Sequence, residues 1–200
     1  LIASWLNHNY SCQIVHQNWK ASAKWDQCIE KSKIEKLLKE IKKKFSELDL
    51  DFTTKKMKSS QMIQQGEIDC LGICLKISDF NDESLLMVDK IYAVEVAFHE
   101  DGLNYGGIEE TCKRIRKKYI RMALTIYQYF GVKEAVIIFA SPKTLQSHVE
   151  LIKQTAVDVT VLFKELGFNF EFKLYCNEDF ENNIFKPVCN ILDEVSDTSE

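Results

Sequence analysis

Apolar residues recur at helical spacing over positions 1–10, where Ile2, Trp5 and Leu6 share a face, and then switch to strand-like alternation over 12–19. Over 25–48, Ile29, Ile34, Leu37, Leu38, Ile41, Phe45 and Leu48 trace one face of an amphipathic helix, read as an insertion between strands. Its other face is rich in lysine: Lys42, Lys43 and Lys44 could touch phosphate, but they alternate with Glu35, Glu40 and Glu47, and a solvated face is the favoured reading of the two. Residues 49–67 are polar and predict a loop-rich connection. Two strands, about 68–77 and 85–98, flank an Asp- and Ser-rich hairpin loop at 78–84. A helix is expected over 108–130, with Ile115, Tyr119, Met122, Ile126 and Phe130 as its stripe and Gly131 as its stop. The continuous apolar run at 136–140 predicts a strand covered on both faces. A helix at 142–166, a strand at 168–175, a helix at 178–192 and a frayed tail at 196–200 complete the chain. This order predicts one α/β domain over 1–195, three layers around a mixed sheet.

Composition narrows the function classes. At 200 residues and 46% hydrophobic the chain can bury a core, and no apolar run reaches the roughly 18 residues of a membrane span. Seven cysteines, at 12, 28, 70, 74, 112, 176 and 189, are odd in number, scattered and free of any CxxC. They fit a reducing, cytoplasmic setting better than a disulfide framework, and Cys70 with Cys74 lacks a zinc context. The formal charge of −4 argues against wholesale coating of polyanions while leaving room for a local basic face. The start at Leu1, without Met or a signal-like segment, reads as that of a trimmed chain or fragment.

Two carboxylates interrupt the apolar strands. Asp69 lies in Gly66-Glu67-Ile68-Asp69-Cys70-Leu71-Gly72, and Glu95 in Ile91-Tyr92-Ala93-Val94-Glu95-Val96-Ala97-Phe98-His99. An ionised carboxylate on a half-buried sheet is costly unless a cation, a metal or several donors meet it, so the pair is the main candidate for a functional site.

The order helix, strand, hairpin, helix, strand, with Asp69 on the second strand and Glu95 in the third, resembles the PD-(D/E)XK nuclease superfamily over about residues 1–140. Gly66-Glu67-Ile68-Asp69 and the Asn18-Trp19-Lys20 stretch are similar to segments at the same places in that superfamily. The resemblance implies a restriction-endonuclease-like fold and a Mg²⁺ or Mn²⁺ site built from Asp69, Glu95 and the Val96 carbonyl, acting on phosphodiester bonds of DNA. The family's lysine, two residues past the Glu, is replaced by Ala97. His99, Lys113 and Lys117 are the candidate substitutes for it.

On the 108–130 helix, Lys113, Arg114, Arg116, Lys117, Lys118 and Arg121 outweigh Glu109 and Glu110 by four charges. Arg114, Lys117, Lys118 and Arg121 follow i, i+3, i+4, i+7 spacing, so one face can meet phosphates, with Asn104 and Tyr105 of the preceding loop beside it. A solvated face is the alternative for the helix, and a helix-capping loop the alternative for 98–107. Three functions remain open: a metal-dependent nuclease, a non-catalytic module of the same fold that binds nucleic acid or a protein, and an unrelated α/β domain whose acids pair with Arg114 or Lys117. Oligomeric state and substrate are not readable from the sequence.

Overall fold

The computed structural model describes residues 1–22, 24–52, 62, 66–80 and 83–197. Five strands, β1 (Ile14–Lys20), β2 (Glu67–Phe80), β3 (Glu83–Val96), β4 (Glu134–Ser141) and β5 (Asn169–Cys176), form one mixed sheet in the order β1-β2-β3-β4-β5. The pairs β1–β2 and β2–β3 are antiparallel, and β3–β4 and β4–β5 are parallel. Parallel neighbours require crossovers, and two helices supply them: α3 (Ile108–Phe130) between β3 and β4, and α4 (Gln146–Glu165) between β4 and β5. The α/β class with a mixed sheet is therefore as the pattern predicts.

Alternation along the strands divides the core into two clusters. Ile91, Ala93, Ala97, Ile137, Phe139, Phe170 and Phe172 face α3, α4 and the inserted helix α2 (Lys31–Glu47). Tyr92, Val94, Val136, Ile138 and Ala140 face the other way, toward α1 (Ile2–Asn9) and the C-terminal segment. That segment comprises α5 (Glu178–Phe180), a π-helical turn (Glu181–Phe185) and α6 (Lys186–Asp197), and it contributes Phe180, Ile184 and Val188.

Local chemistry sets the ends of these elements. In α2, Ile34, Leu38, Ile41 and Phe45 are all buried, as their spacing predicts, but the helix starts at Lys31 and not near 25. Trp25 is instead exposed and sits 6.0 Å from the Trp19 ring, in a turn-rich approach to the helix. Gly131 ends α3 with φ 69°, a left-handed cap whose N–H bonds the Tyr127 carbonyl. The β2–β3 hairpin is longer than expected, with strands reaching Phe80 and Glu83, while residues 81 and 82 of the expected loop lie outside the described residues. Most of the polar connection at 49–67 also lies outside them.

Candidate functional site

Glu95 lies on β3 on the α3 side of the sheet, between Ala93 and Ala97, and is only 5% exposed. Two cations from α3 meet it. Lys118 Nζ donates to Glu95 Oε1, and Arg121 Nη2 donates to Oε2 at 3.2 Å. Arg121 Nη2 also reaches the Glu67 carbonyl, at 3.4 Å, which ties the start of β2 to the same group. The Lys118 ammonium lies 5.6 Å from the Phe139 ring centroid on β4, a cation–π approach. A carboxylate this deep needs both a countercharge and hydrogen bonds, and one turn of α3 supplies both. The cations at Glu95 are thus Lys118 and Arg121, which the sequence reading places on an outward phosphate-binding face.

Asp69 is half-buried and is held differently. Its Oδ2 accepts the Val96 N–H at 2.7 Å. The β2–β3 ladder closes at Cys70 opposite Val94, and a side-chain oxygen takes over from the backbone one residue further on. Alternation breaks here as well. Ile68 and Leu71 both reach the α3-side cluster whereas Cys70 reaches the other, and on the facing strand Asn18 adopts φ 52° where its pairing with Asp69 is skipped. Asp69 borders a cavity of about 370 Å³ with Gln17, Cys70, Val96, Phe98 and Ile2 of α1. Asp69 therefore reaches the peptide that follows Glu95, but the two carboxylates turn to different sides of the sheet, Glu95 toward α3 and Asp69 toward a space beside α1, as the reading of an unrelated α/β domain expects.

The loop after β3 corrects the expectation for His99. β3 ends at Val96, Ala97 N–H bonds the Ala140 carbonyl, and Gly102 N–H closes a turn on the His99 carbonyl. His99 thus leaves the Glu95 strand face, and its ring packs edge-on against Tyr105 with centroids 5.2 Å apart. Tyr105 in turn lies under the Arg114 guanidinium, 5.1 Å from its centroid, and Arg114 pairs with Glu110. Asn104 Oδ1 accepts the N–H groups of Gly106 at 3.0 Å and Gly107 at 2.7 Å, so its side chain braces the entry to α3. Phe98, 69% exposed, stands at the rim of the Asp69 cavity.

Among the described residues neither Lys113 nor Lys117 makes a hydrogen bond or ion pair with Glu95, whose partners are Lys118 and Arg121. Lys113 borders a second cavity, of about 860 Å³, with Arg116, Asp51, Gln154 and Asp158. There Arg116, which the sequence reading counts only as a surface charge, is buried, donates to the Asp51 carbonyl at 2.8 Å and lies over the Phe45 ring. Burial pushes the Arg116 guanidinium down from its ordinary value. Lys117 is also pushed down, by burial first and then by the neighbouring Arg121 and Arg114 charges. Among the described residues Lys117 has no ion pair, whereas Arg114, Lys118 and Arg121 of the same face each have one.

Among the described residues no three His, Cys, Asp or Glu side chains gather closely enough to hold a metal. No described helix is long and apolar enough to cross a membrane. Comparison with protein-family models, with curated proteins and with solved structures finds no match to this chain.

Proposed function

We propose that this chain is a restriction-endonuclease-like protein that binds Mg²⁺ or Mn²⁺ at Asp69, Glu95 and the Val96 carbonyl and hydrolyses phosphodiester bonds in nucleic acid. The observation that carries it is the Val96 N–H bond to Asp69, which brings this acid to the peptide that follows Glu95. Within a strand a residue's N–H and C=O point to the same side, so the Val96 carbonyl faces the side from which Asp69 binds its N–H. The mixed sheet, with an antiparallel β1-β2-β3 meander followed by parallel crossovers, supports the same fold.

The donor set suits a small hard cation. Mg²⁺ favours oxygen ligands and keeps several waters, so two carboxylates with a peptide oxygen suffice when a substrate phosphate joins them. Each Glu95 oxygen accepts one bond from α3, and a carboxylate oxygen has lone pairs for two. When bound, the ion would supply charge neutralisation at the phosphate and a more acidic water. Lys118 replaces the lysine missing at Ala97: its ammonium, already at Glu95, can turn to a phosphate oxygen and stabilise developing charge. Arg121 holds Glu95 in place, and Lys117 with Arg114 offers the approaching backbone a positive face.

One observation favours a second function, a module that binds nucleic acid without cutting it. Both Glu95 oxygens are already paired with cations, and Asp69 borders the α1-side cavity. In that case the acids serve the fold, and Lys117 and Arg114 supply a salt-sensitive phosphate contact.

Labelled single- and double-stranded DNA and RNA incubated with Mg²⁺ or Mn²⁺ separate the two. Cleavage that disappears in Asp69→Asn and Lys118→Met, with a metal-induced rise in melting temperature that Asp69→Asn abolishes, supports the nuclease. Salt-dependent binding with neither cleavage nor a metal effect overturns it in favour of the module.

A further inference from the structure

Two thiols in contact join segments far apart in sequence. Cys12 Sγ lies 3.3 Å from Cys74 Sγ, across 62 positions. Cys12 sits just before β1, where its N–H is fixed by the Leu6 carbonyl of α1, and Cys74 is on β2. The approach depends on Gly72: a Cβ there would stand 2.9 Å from Cys12 Sγ and 3.1 Å from Leu6 Cδ1. The two sulfurs differ in access. Cys12 is buried, whereas Cys74 is partly exposed and donates to the Tyr10 carbonyl at 3.2 Å. A thiol open to a small oxidant therefore has a second sulfur held against it by the packing of α1 on β2.

We propose that Cys12 and Cys74 form a reversible redox pair, in which a hydroperoxide oxidises Cys74 and Cys12 resolves it as a disulfide. The Cys74 sulfur, as thiolate, attacks one peroxide oxygen, the O–O bond breaks, and a sulfenic acid forms with release of water. The Cys12 sulfur then displaces hydroxide from the sulfenic sulfur, forming the S–S bond, and its proton leaves with that hydroxide as a second water. For hydrogen peroxide the balance is two thiols and one peroxide to one disulfide and two waters. The sulfurs together lose two electrons and the peroxide gains them. A dithiol reverses the change by thiol–disulfide exchange. The difference in access assigns first attack to the partly exposed Cys74 and resolution to the buried Cys12, and burial, then the hydrogen bond with Cys74, pushes the Cys12 thiol up to about 12.

Cys70 lies on the same sheet face and is buried, but among the described residues it makes no hydrogen bond to either sulfur. The cross-link would fasten the junction of α1 and β1 to β2, the strand that carries Asp69. Ile2 and Ala3 of α1 wall the Asp69 cavity, so oxidation would fix one side of that cavity in place.

The full chain, fully reduced and then exposed to a small excess of hydrogen peroxide, is to be alkylated, digested and mapped by mass spectrometry. A linked peptide pair containing Cys12 and Cys74, loss of two of the seven thiols, and recovery of both with dithiothreitol are expected. Cys74→Ser abolishes the link and Cys70→Ser retains it. The wild-type map does not depend on either variant folding. A link from Cys12 or Cys74 to another cysteine, sulfinic acid at Cys74 beside free Cys12, or no reaction at either sulfur overturns the pair. Thiol counting involves neither metal nor nucleic acid, so this result is independent of the proposed cleavage activity.

Discussion

On the α3 side of the sheet Glu95 is 5% exposed and bears two cations, whereas Asp69, bordering the α1-side cavity, is half-buried and bears one peptide N–H. The difference follows what each side can offer. A 23-residue helix with basic residues along one edge packs on the first side, and long cationic side chains can lie along its apolar stripe and still reach the sheet. The second side is built from Trp5, Leu6, Cys12, Cys70 and Tyr92, none of which carries a positive charge at neutral pH. Glu95 is therefore anchored, while Asp69 keeps an oxygen that makes no hydrogen bond among the described residues. The deeper acid fixes the geometry, and the shallower one is the more available to a ligand.

Removing each acid tests that contrast most strongly. Glu95→Ala strands two cations beside an apolar sheet and is expected to cost about 3 kcal/mol, the lower end for breaking a buried pair because Lys118 and Arg121 retain some exposure. Asp69→Ala loses one charge-assisted bond to a peptide and is expected to cost about 1–2 kcal/mol. Urea denaturation of both variants gives the ratio. Equal losses would show that the two acids are held alike and would remove the basis for assigning them different roles.

The α1 side has its own pH signature. Burial raises the Cys70 thiol from 9.0 to about 11, and the Cys12 thiol from 9.0 to about 12. In the unfolded chain these thiols lose their protons near pH 9, while in the folded chain they keep them to higher pH. Their contribution is thus complete below about pH 9 and is lost as pH rises through about 11 to 12. Stability should fall by about 2 kcal/mol per thiol, about 4 in all before solvent screening reduces it, between pH 8.5 and 11, at about 1.4 kcal/mol per pKa unit for each thiol that ionises. Cys70→Ala should flatten part of that slope, and an unchanged slope would place the alkaline weakness outside this cluster.

Gly72→Ala probes the same cluster by packing. Its Cβ would stand 2.9 Å from Cys12 Sγ, a distance that forces α1 or the thiol to shift. Overpacking of this kind costs about 1–2 kcal/mol, and Cys12→Ala in the same chain should recover part of it. If the two substitutions are additive, Cys12 does not press on β2 and the close sulfur contact loses its structural cause.

Much of this architecture was legible because burial imposes a period. Ile34, Leu38, Ile41 and Phe45 read correctly as one face, and the run at 136–140 read correctly as a strand covered on both sides. The start of α2 was not legible, because Trp25 and Ile29 continue the apolar spacing through a turn before the helix. Both acids were visible as charges in apolar strands, but their partners were not. Lys118 lies three residues after Ile115 and four before Met122, at the border of the buried stripe, and that phase was the one available sign that it turns inward. His99 was misplaced because strand alternation was carried past Val96, where Gly102 allows the chain to turn back. The Cys12–Cys74 contact joins the α1–β1 connection to β2 through tertiary packing, and no local spacing encodes it.

The smallest expected effect supplies the control for the largest. Lys76 and Asp89 pair across the β2–β3 hairpin at 2.7 Å, closer than Arg121 is to Glu95, yet their side chains are 57% and 46% exposed. Distance alone would make the hairpin pair the stronger of the two. Solvent screening reverses that order, since exposed pairs gain little over their separate hydration and give up side-chain freedom. Lys76→Ala is therefore expected to change stability by less than about 0.5 kcal/mol, and by less still in high salt. Arg121→Ala should cost several times more, because Glu95 would keep its burial and lose a donor. Measured side by side at low and high ionic strength, a Lys76→Ala loss as large as that of Arg121→Ala would mean that burial is not what distinguishes the Glu95 cluster. The case for Glu95 as a site organised by α3 would then fail.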